Sequence, residues 1–191
     1  MRWRWRRQGD GTAIDHRAVR KEARRIVEEM PVPRPFDLDA LVANIAAVRG
    51  RDIRLVPLPD RLLGSTGLCG LWLKHETLPL DLILHVESTT RFHREKIILH
   101  ELGHLWCDDA DGVTTQVMDE VVGDPSAELV GQLIGRGQAA PRRRFGTRVE
   151  ARAETVADLI HHIAYTDEFI EDGALRALDD TLTHPGRSPR D

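Results

Sequence analysis

The run His100-Glu101-Leu102-Gly103-His104 constrains this chain more than any other stretch. On an α-helix the residues at i and i+4 project from one face about one turn apart. Two imidazoles so placed can reach one metal ion, with the intervening Glu101 beside them to polarise its water. The surrounding residues predict a helix: Ile98, Leu102 and Leu105 form an apolar stripe at helical spacing, and His100 and His104 fall well away from it. That separates them from ordinary core histidines. Gly103 costs roughly 1 kcal/mol against alanine in a helix interior, which predicts that a strand edge or a substrate backbone passes close to it. The same five-residue pattern also arises by chance in proteins that bind no metal, so the rest of the chain has to supply a third ligand.

A chain of 191 residues is long enough for one well-buried domain and short for two. The expected division is a basic flexible arm over 1–14, a single domain over 15–183 and a disordered tail over 184–191. The net charge of −4 gives no general reason to expect nucleic-acid binding. The opening MRWRWRR and the cluster Arg142-Arg143-Arg144 are basic against that background, and they read as an untethered arm and loop, with weak contact to nucleic acid through the arm at most. A secretory signal needs an apolar stretch of about 7–15 residues after its basic start, whereas QGDGTAIDHR follows here. No stretch approaches the roughly 18 apolar residues of a membrane span. The expectation is a cytoplasmic protein without a membrane partner. Cys69 and Cys107 show no metal or redox spacing; Cys107, three residues after His104, is better read as a buried thiol than as a soft ligand.

Asp15 can cap a helix running to about Met30, with Val19, Ala23, Ile26 and Val27 on one face, stopped by Pro31, Pro33 and Pro35. Asp37 opens a second helix with Leu38, Leu41, Val42, Ile45 and Val48 on its apolar face and an end near Gly50. From Asp52 the period becomes that of a strand, closed by Pro57 and Pro59, and further strands are expected over 66–74 and 80–86. The helix carrying the motif then spans 90–106. Beyond it lie a turn over 107–112, a short helix over 125–134 and a loop over 135–146. A long helix starts at Arg148, with Val149, Ala153, Val156, Ile160 and Ile163 as its buried stripe, and a last helix is expected over 167–182. The fold class expected is α+β and zincin-like: a small, mostly antiparallel sheet of about three strands packed on helices, with the motif on the active-site helix.

A catalytic zinc takes three protein ligands plus water. The best supply of the third is the helix from Arg148, where Glu150 and Glu154 are i and i+4 on one side of the apolar stripe, with His161 nearby. Glu150 takes precedence, with Glu154 as alternative ligand or support. Asp108, Asp109, Asp111, Asp119 and Glu120 are also within reach in sequence, the first three in a turn, where acids commonly cap or face solvent.

Three segments together, Leu80-Asp81-Leu82-Ile83-Leu84-His85-Val86, Ile97 to His104, and Glu150-Ala151-Arg152-Ala153-Glu154-Thr155-Val156-Ala157, resemble the ImmA/IrrE metallopeptidases over roughly 66–163. The resemblance implies a glutamate ligand at Glu150, four residues before a position usually held by Asn or Asp and here by Glu154. It departs at Val156-Ala157, where the family has an aromatic-Ala pair, at Ile160-His161-His162, where the family ends Leu-Leu-Met-Pro, and in the long stretch between His104 and Glu150. It implies a protein substrate, often a helix-turn-helix repressor cut at a specific site.

The functional expectation is a metallopeptidase in which His100, His104 and Glu150 hold Zn²⁺, Glu101 is the catalytic base, and the strand over 80–86 binds extended substrate by β-addition. The alternative is a zincin-fold binding module, weakly active or inactive, that docks a regulator or a toxin-antitoxin partner.

Overall fold

The structure, a computed structural model, describes residues 14–58, 69–75, 77–109 and 148–170. The basic arm apart from Ile14, the start of the strand expected at 66, the helix over 125–134, the arginine loop over 135–146, Asp111, Asp119, Glu120, residues 171–182 of the expected last helix and the tail over 184–191 lie outside the described residues; residues 167–170 continue the helix from Arg148 instead of opening a new one. In chain order the elements are α1 (His16–Glu29), α2 (Leu38–Arg49), β1 (Asp52–Leu58), β2 (Gly70–Lys74), β3 (Leu80–Val86), α3 (Arg91–Trp106) and α4 (Arg148–Ile170). The fold is α+β, with four helices and one three-stranded sheet among the described residues.

Local chemistry sets the helix ends. The Asp15 carboxylate accepts from the backbone N–H groups of Arg17 and Ala18 at 3.0 and 3.1 Å, Asp37 accepts from Ala40 at 2.7 Å, and the Thr90 hydroxyl accepts from His93 at 3.2 Å. Such caps satisfy amides that the first helical turn leaves unbonded and contribute about 1 kcal/mol each. Gly50 closes α2 at φ 64°, a left-handed conformation that favours glycine.

The sheet runs β1-β3-β2. It is mixed rather than mostly antiparallel: β2 and β3 form the antiparallel hairpin, but β1 lies parallel to β3 with Asp52 opposite Leu80. Side-chain alternation reports which face a strand buries and carries no information on its direction relative to a neighbour. Pro57 does not end β1 but sits within it, as an edge strand allows. Every residue of the central β3 is buried, including two polar ones. Asp81 is satisfied there by Arg51 Nε at 2.7 Å and Trp72 Nε1 at 3.2 Å, while the same guanidinium donates to the carbonyls of His75 and Leu80.

The core gathers Ala23 and Ile26 of α1 with Met30 at its C-cap, Leu41 and Ile45 of α2, Ile53, Trp72 and Ile83 of the sheet, Ile98, Leu99, Leu102 and Leu105 of α3, and Val156, Ala157 and Ile160 of α4. Truncating one of the fully buried leucines to alanine costs about 2–5 kcal/mol. Two expected core positions are exposed, Val48 at 64% and Val149 at the first turn of α4, and Val27, Leu38 and Ile163 are only half-buried. The inward face of α4 runs instead through Ala153, Val156, Ala157, Ile160 and Ala164. Gly103 explains how α3 and α4 meet. A Cβ there would stand 3.4 Å from Ala153 Cα and 3.5 Å from its carbonyl oxygen, so the close neighbour is the α4 backbone, not a strand or a substrate. Small residues facing each other bring the two helices together at the level of the motif. No described helix is long and apolar enough to cross a membrane.

Candidate metal centre

α3 and α4 pack so that His100 and His104 face Glu150. The two Nε2 atoms lie 3.1 Å apart, Glu150 Oε2 is 3.5 Å from His100 Nε2, and Glu150 Oε1 is 3.4 Å from His104 Nε2. Ligand atoms bound at about 2.0–2.1 Å around a tetrahedral ion are separated by about 3.3–3.4 Å. Each observed separation is therefore close to that between neighbouring ligand atoms of such a site, and the His100, His104, Glu150 group can hold a metal ion.

The outer ring nitrogens explain why the inner ones converge. His104 Nδ1 faces Asp109 Oδ2 at 3.3 Å and His100 Nδ1 faces Glu154 Oε2 at 3.3 Å. A proton on each Nδ1, donated to its carboxylate, leaves both Nε2 lone pairs directed at one point, the tautomer a metal ligand needs. Two lone pairs 3.1 Å apart beside a carboxylate repel unless a proton or a cation lies among them. Both carboxylates are themselves held. Arg152 donates to both oxygens of Asp109 at 2.6 Å and to Glu22 of α1 at 3.1 Å, and Lys96 reaches Glu154 at 2.8 Å and Asp158 at 3.0 Å.

Titration of these groups follows the same contacts. Burial works to raise the Glu150 carboxyl, but hydrogen bonds and charge from His100 and His104 outweigh it and hold it well below the usual carboxylate range. For His100, burial disfavours the charged form, yet Glu150, Glu101 and Glu154 together raise it. Glu154 is pushed up by burial and, more strongly, down by Lys96 and His100.

Glu101 lies under β2. It is buried, and that burial raises its carboxyl above the ordinary range against the pull of His100, His104 and a backbone hydrogen bond from Trp72. Gly70 makes room for it: a Cβ at Gly70 would stand 2.6 Å from Ile97 Cγ2 and 2.9 Å from Glu101 Oε1.

Other sequence candidates fall elsewhere. Glu154 meets the outer nitrogen of His100 rather than the converging pair. His161 is buried against the rings of Phe92 and Tyr165, outside the triangle. Asp108 pairs with Lys74 and Arg49. Cys107 is a half-buried free thiol whose ionisation burial opposes. His104 is only 2% exposed, so the motif's second histidine is enclosed even though it lies off the apolar stripe. β3 cannot accept a further strand, because β1 and β2 occupy both its edges.

Gly70, Arg152 and Lys96 are not among the sequence candidates, and Asp109 stands there only as an available ligand or a turn acid. A glycine inside a strand was the one available signal, since it often marks a close approach. Comparison with protein-family models, with curated proteins and with solved structures returns no match.

Proposed function

We propose that this chain is a zinc-dependent metallopeptidase of zincin-like fold that cuts a specific protein partner in the cytoplasm. The observation that carries the reading is the convergence of His100 Nε2, His104 Nε2 and the Glu150 carboxylate: the two nitrogens lie 3.1 Å apart, with Glu150 Oε2 3.5 Å from the first and Oε1 3.4 Å from the second. Two imidazoles and one carboxylate are a donor set suited to catalytic zinc, which keeps a fourth position for water. When bound, the ion supplies a water whose pKa falls towards about 7 and polarises a substrate carbonyl. Glu101, one residue from His100 and held with a raised pKa, suits a base that takes up a proton and returns it to a leaving amine. Asp109 and Glu154 fix the two imidazole rings, and Gly70 leaves Glu101 its space. The order of strand, motif helix and acidic helix is that of the ImmA/IrrE resemblance, which makes a helix-turn-helix repressor the partner of choice.

The test is metal content followed by cleavage. Purified protein should hold one zinc per chain; His100→Ala and Glu150→Ala should lose it, while Glu154→Ala should keep it with weaker affinity. Stoichiometric zinc in His100→Ala would sink the ligand assignment. Glu101→Gln should retain zinc and folding but fail to cleave a repressor encoded beside the gene. Equal regulatory effect of Glu101→Gln and native protein would favour the binding-module reading instead.

A further inference from the structure

The outward face of α1 carries a charge pattern that folding does not explain. Arg17, Arg20, Lys21 and Arg24 are all exposed, and none has an acidic partner among the described residues. They stand three or four residues apart, so each like-charged neighbour destabilises the helix. Apart from the Asp15 cap, the layout also opposes the helix macrodipole: the first turn has no acidic residue and the last no basic one, with Glu28 and Glu29 at the negative end. An arrangement that costs stability on both counts is expected where a surface serves recognition. Nine of the 27 lysines and arginines fall within the first 25 residues beside only three acids, in a chain of net charge −4.

These side chains line an open groove of about 1010 Å³ alongside α1, together with Arg25, with Arg148 of α4 and with three acids, Asp15, Glu22 and Glu28, of which Glu22 pairs with Arg148, so that cations outnumber acids two to one. Its only apolar lining residue is Ala18. Protein partners are anchored by aromatic or aliphatic side chains buried in pockets, and this groove offers none. A phosphodiester backbone needs no such anchor, because cations alone neutralise it and release its counterions. Arginine, five of the six cations, also matches phosphate oxygens with a planar fork.

We infer that the outer face of α1, through Arg17, Arg20, Lys21 and Arg24, is a docking surface for the phosphate backbone of a nucleic acid. The contact is independent of base sequence and of the metal centre. It would hold the protein near nucleic acid while the α3–α4 cleft stays free.

The experiment measures binding of full-length, zinc-loaded protein to a fluorescent duplex and a single-stranded oligonucleotide at 50–200 mM salt, roughly the range over which phosphate contacts weaken most visibly. The comparison is a variant with Arg17, Arg20, Lys21 and Arg24 all changed to Gln, which keeps helix propensity at exposed positions. Native protein should bind with steep salt dependence. The variant should bind at least about 10-fold more weakly, with a log–log salt slope shallower by about one per lost contact, and with unchanged zinc content and circular dichroism. A pair of double variants, Arg17→Gln with Arg20→Gln and Lys21→Gln with Arg24→Gln, gives the same reading should the quadruple variant unfold. No binding by native protein at low salt, binding unchanged in the variants, loss only when residues 2–7 are replaced, or equal binding to poly-glutamate would each overturn the inference.

Discussion

Arg152 grips both carboxylate oxygens of Asp109 at 2.6 Å, and Asp109 in turn meets His104 Nδ1 at 3.3 Å. The arginine therefore acts on the candidate metal centre without touching it. It fixes the carboxylate, the carboxylate fixes the imidazole, and the imidazole's Nε2 is left aimed at His100 and Glu150. Removing such an outer partner typically lowers metal affinity by about 10–100-fold. Arg152→Ala and Asp109→Ala should both weaken zinc binding in that range, measured by competition with a chromophoric chelator. Arg152→Lys should fall between, because one ammonium nitrogen cannot span Asp109 and Glu22 as Nη2 and Nη1 of the guanidinium do. Affinity unchanged within about twofold in both alanine variants would mean that His104 is held by packing alone.

Gly70 makes a separable prediction about Glu101. In Gly70→Ala the new methyl would enter the space of Ile97 Cγ2 and of the Glu101 carboxylate, and the carboxylate end is the more easily displaced. Overpacking of this kind costs typically about 1–3 kcal/mol. The variant should melt at lower temperature or lower denaturant concentration yet keep full zinc stoichiometry, since His100, His104 and Glu150 lie outside the clash. Full zinc with native stability would show that β2 and α3 have slack at this point. Loss of zinc would show that the Glu101 side chain supports the ligands.

The candidate metal centre is legible in the sequence to the extent that it rests on local periodicity. His100, Glu101 and His104 share one helical turn, and Glu150 was reachable by asking which acid lies off the apolar stripe of a later helix. Period could not choose Glu150 over Glu154. That choice depends on the axial register of α3 against α4, fixed by the approach of Gly103 to Ala153. Glu154 consequently lies beside Lys96 and the outer nitrogen of His100. The parallel direction of β1, the enclosure of β3 on both edges and the Arg152–Asp109 grip are likewise products of tertiary pairing, 43 residues separating the last two. Val48 and Val149 failed as core positions for a related reason: an apolar residue at helical spacing is buried only where a partner element covers that arc of the helix.

Acid should loosen the seam between α1 and α4, and Glu22 gives the sign. Its carboxyl is held below its ordinary value of 4.5 by the hydrogen bond from Arg148, with a second from Arg152, against a smaller opposing effect of burial. A carboxyl whose folded pKa is depressed contributes stability that is fully present above its unfolded value and lost as pH falls through the folded one. Because Arg152 also holds Asp109, protonating Glu22 removes one of that guanidinium's two anchors. Melting temperature should therefore decline from about pH 5 downward, and part of that decline should vanish in Glu22→Gln, which carries no titrating group there. The variant should be the less stable protein near neutrality and should converge on native stability in acid. Parallel pH profiles for the two proteins, offset by a constant at every pH, would mean that the Glu22 contact is made by shape and not by charge. Added salt provides the internal control. The Arg148 contact is exposed and should be screened, whereas the Arg152 contact, with both side chains mostly buried, should persist.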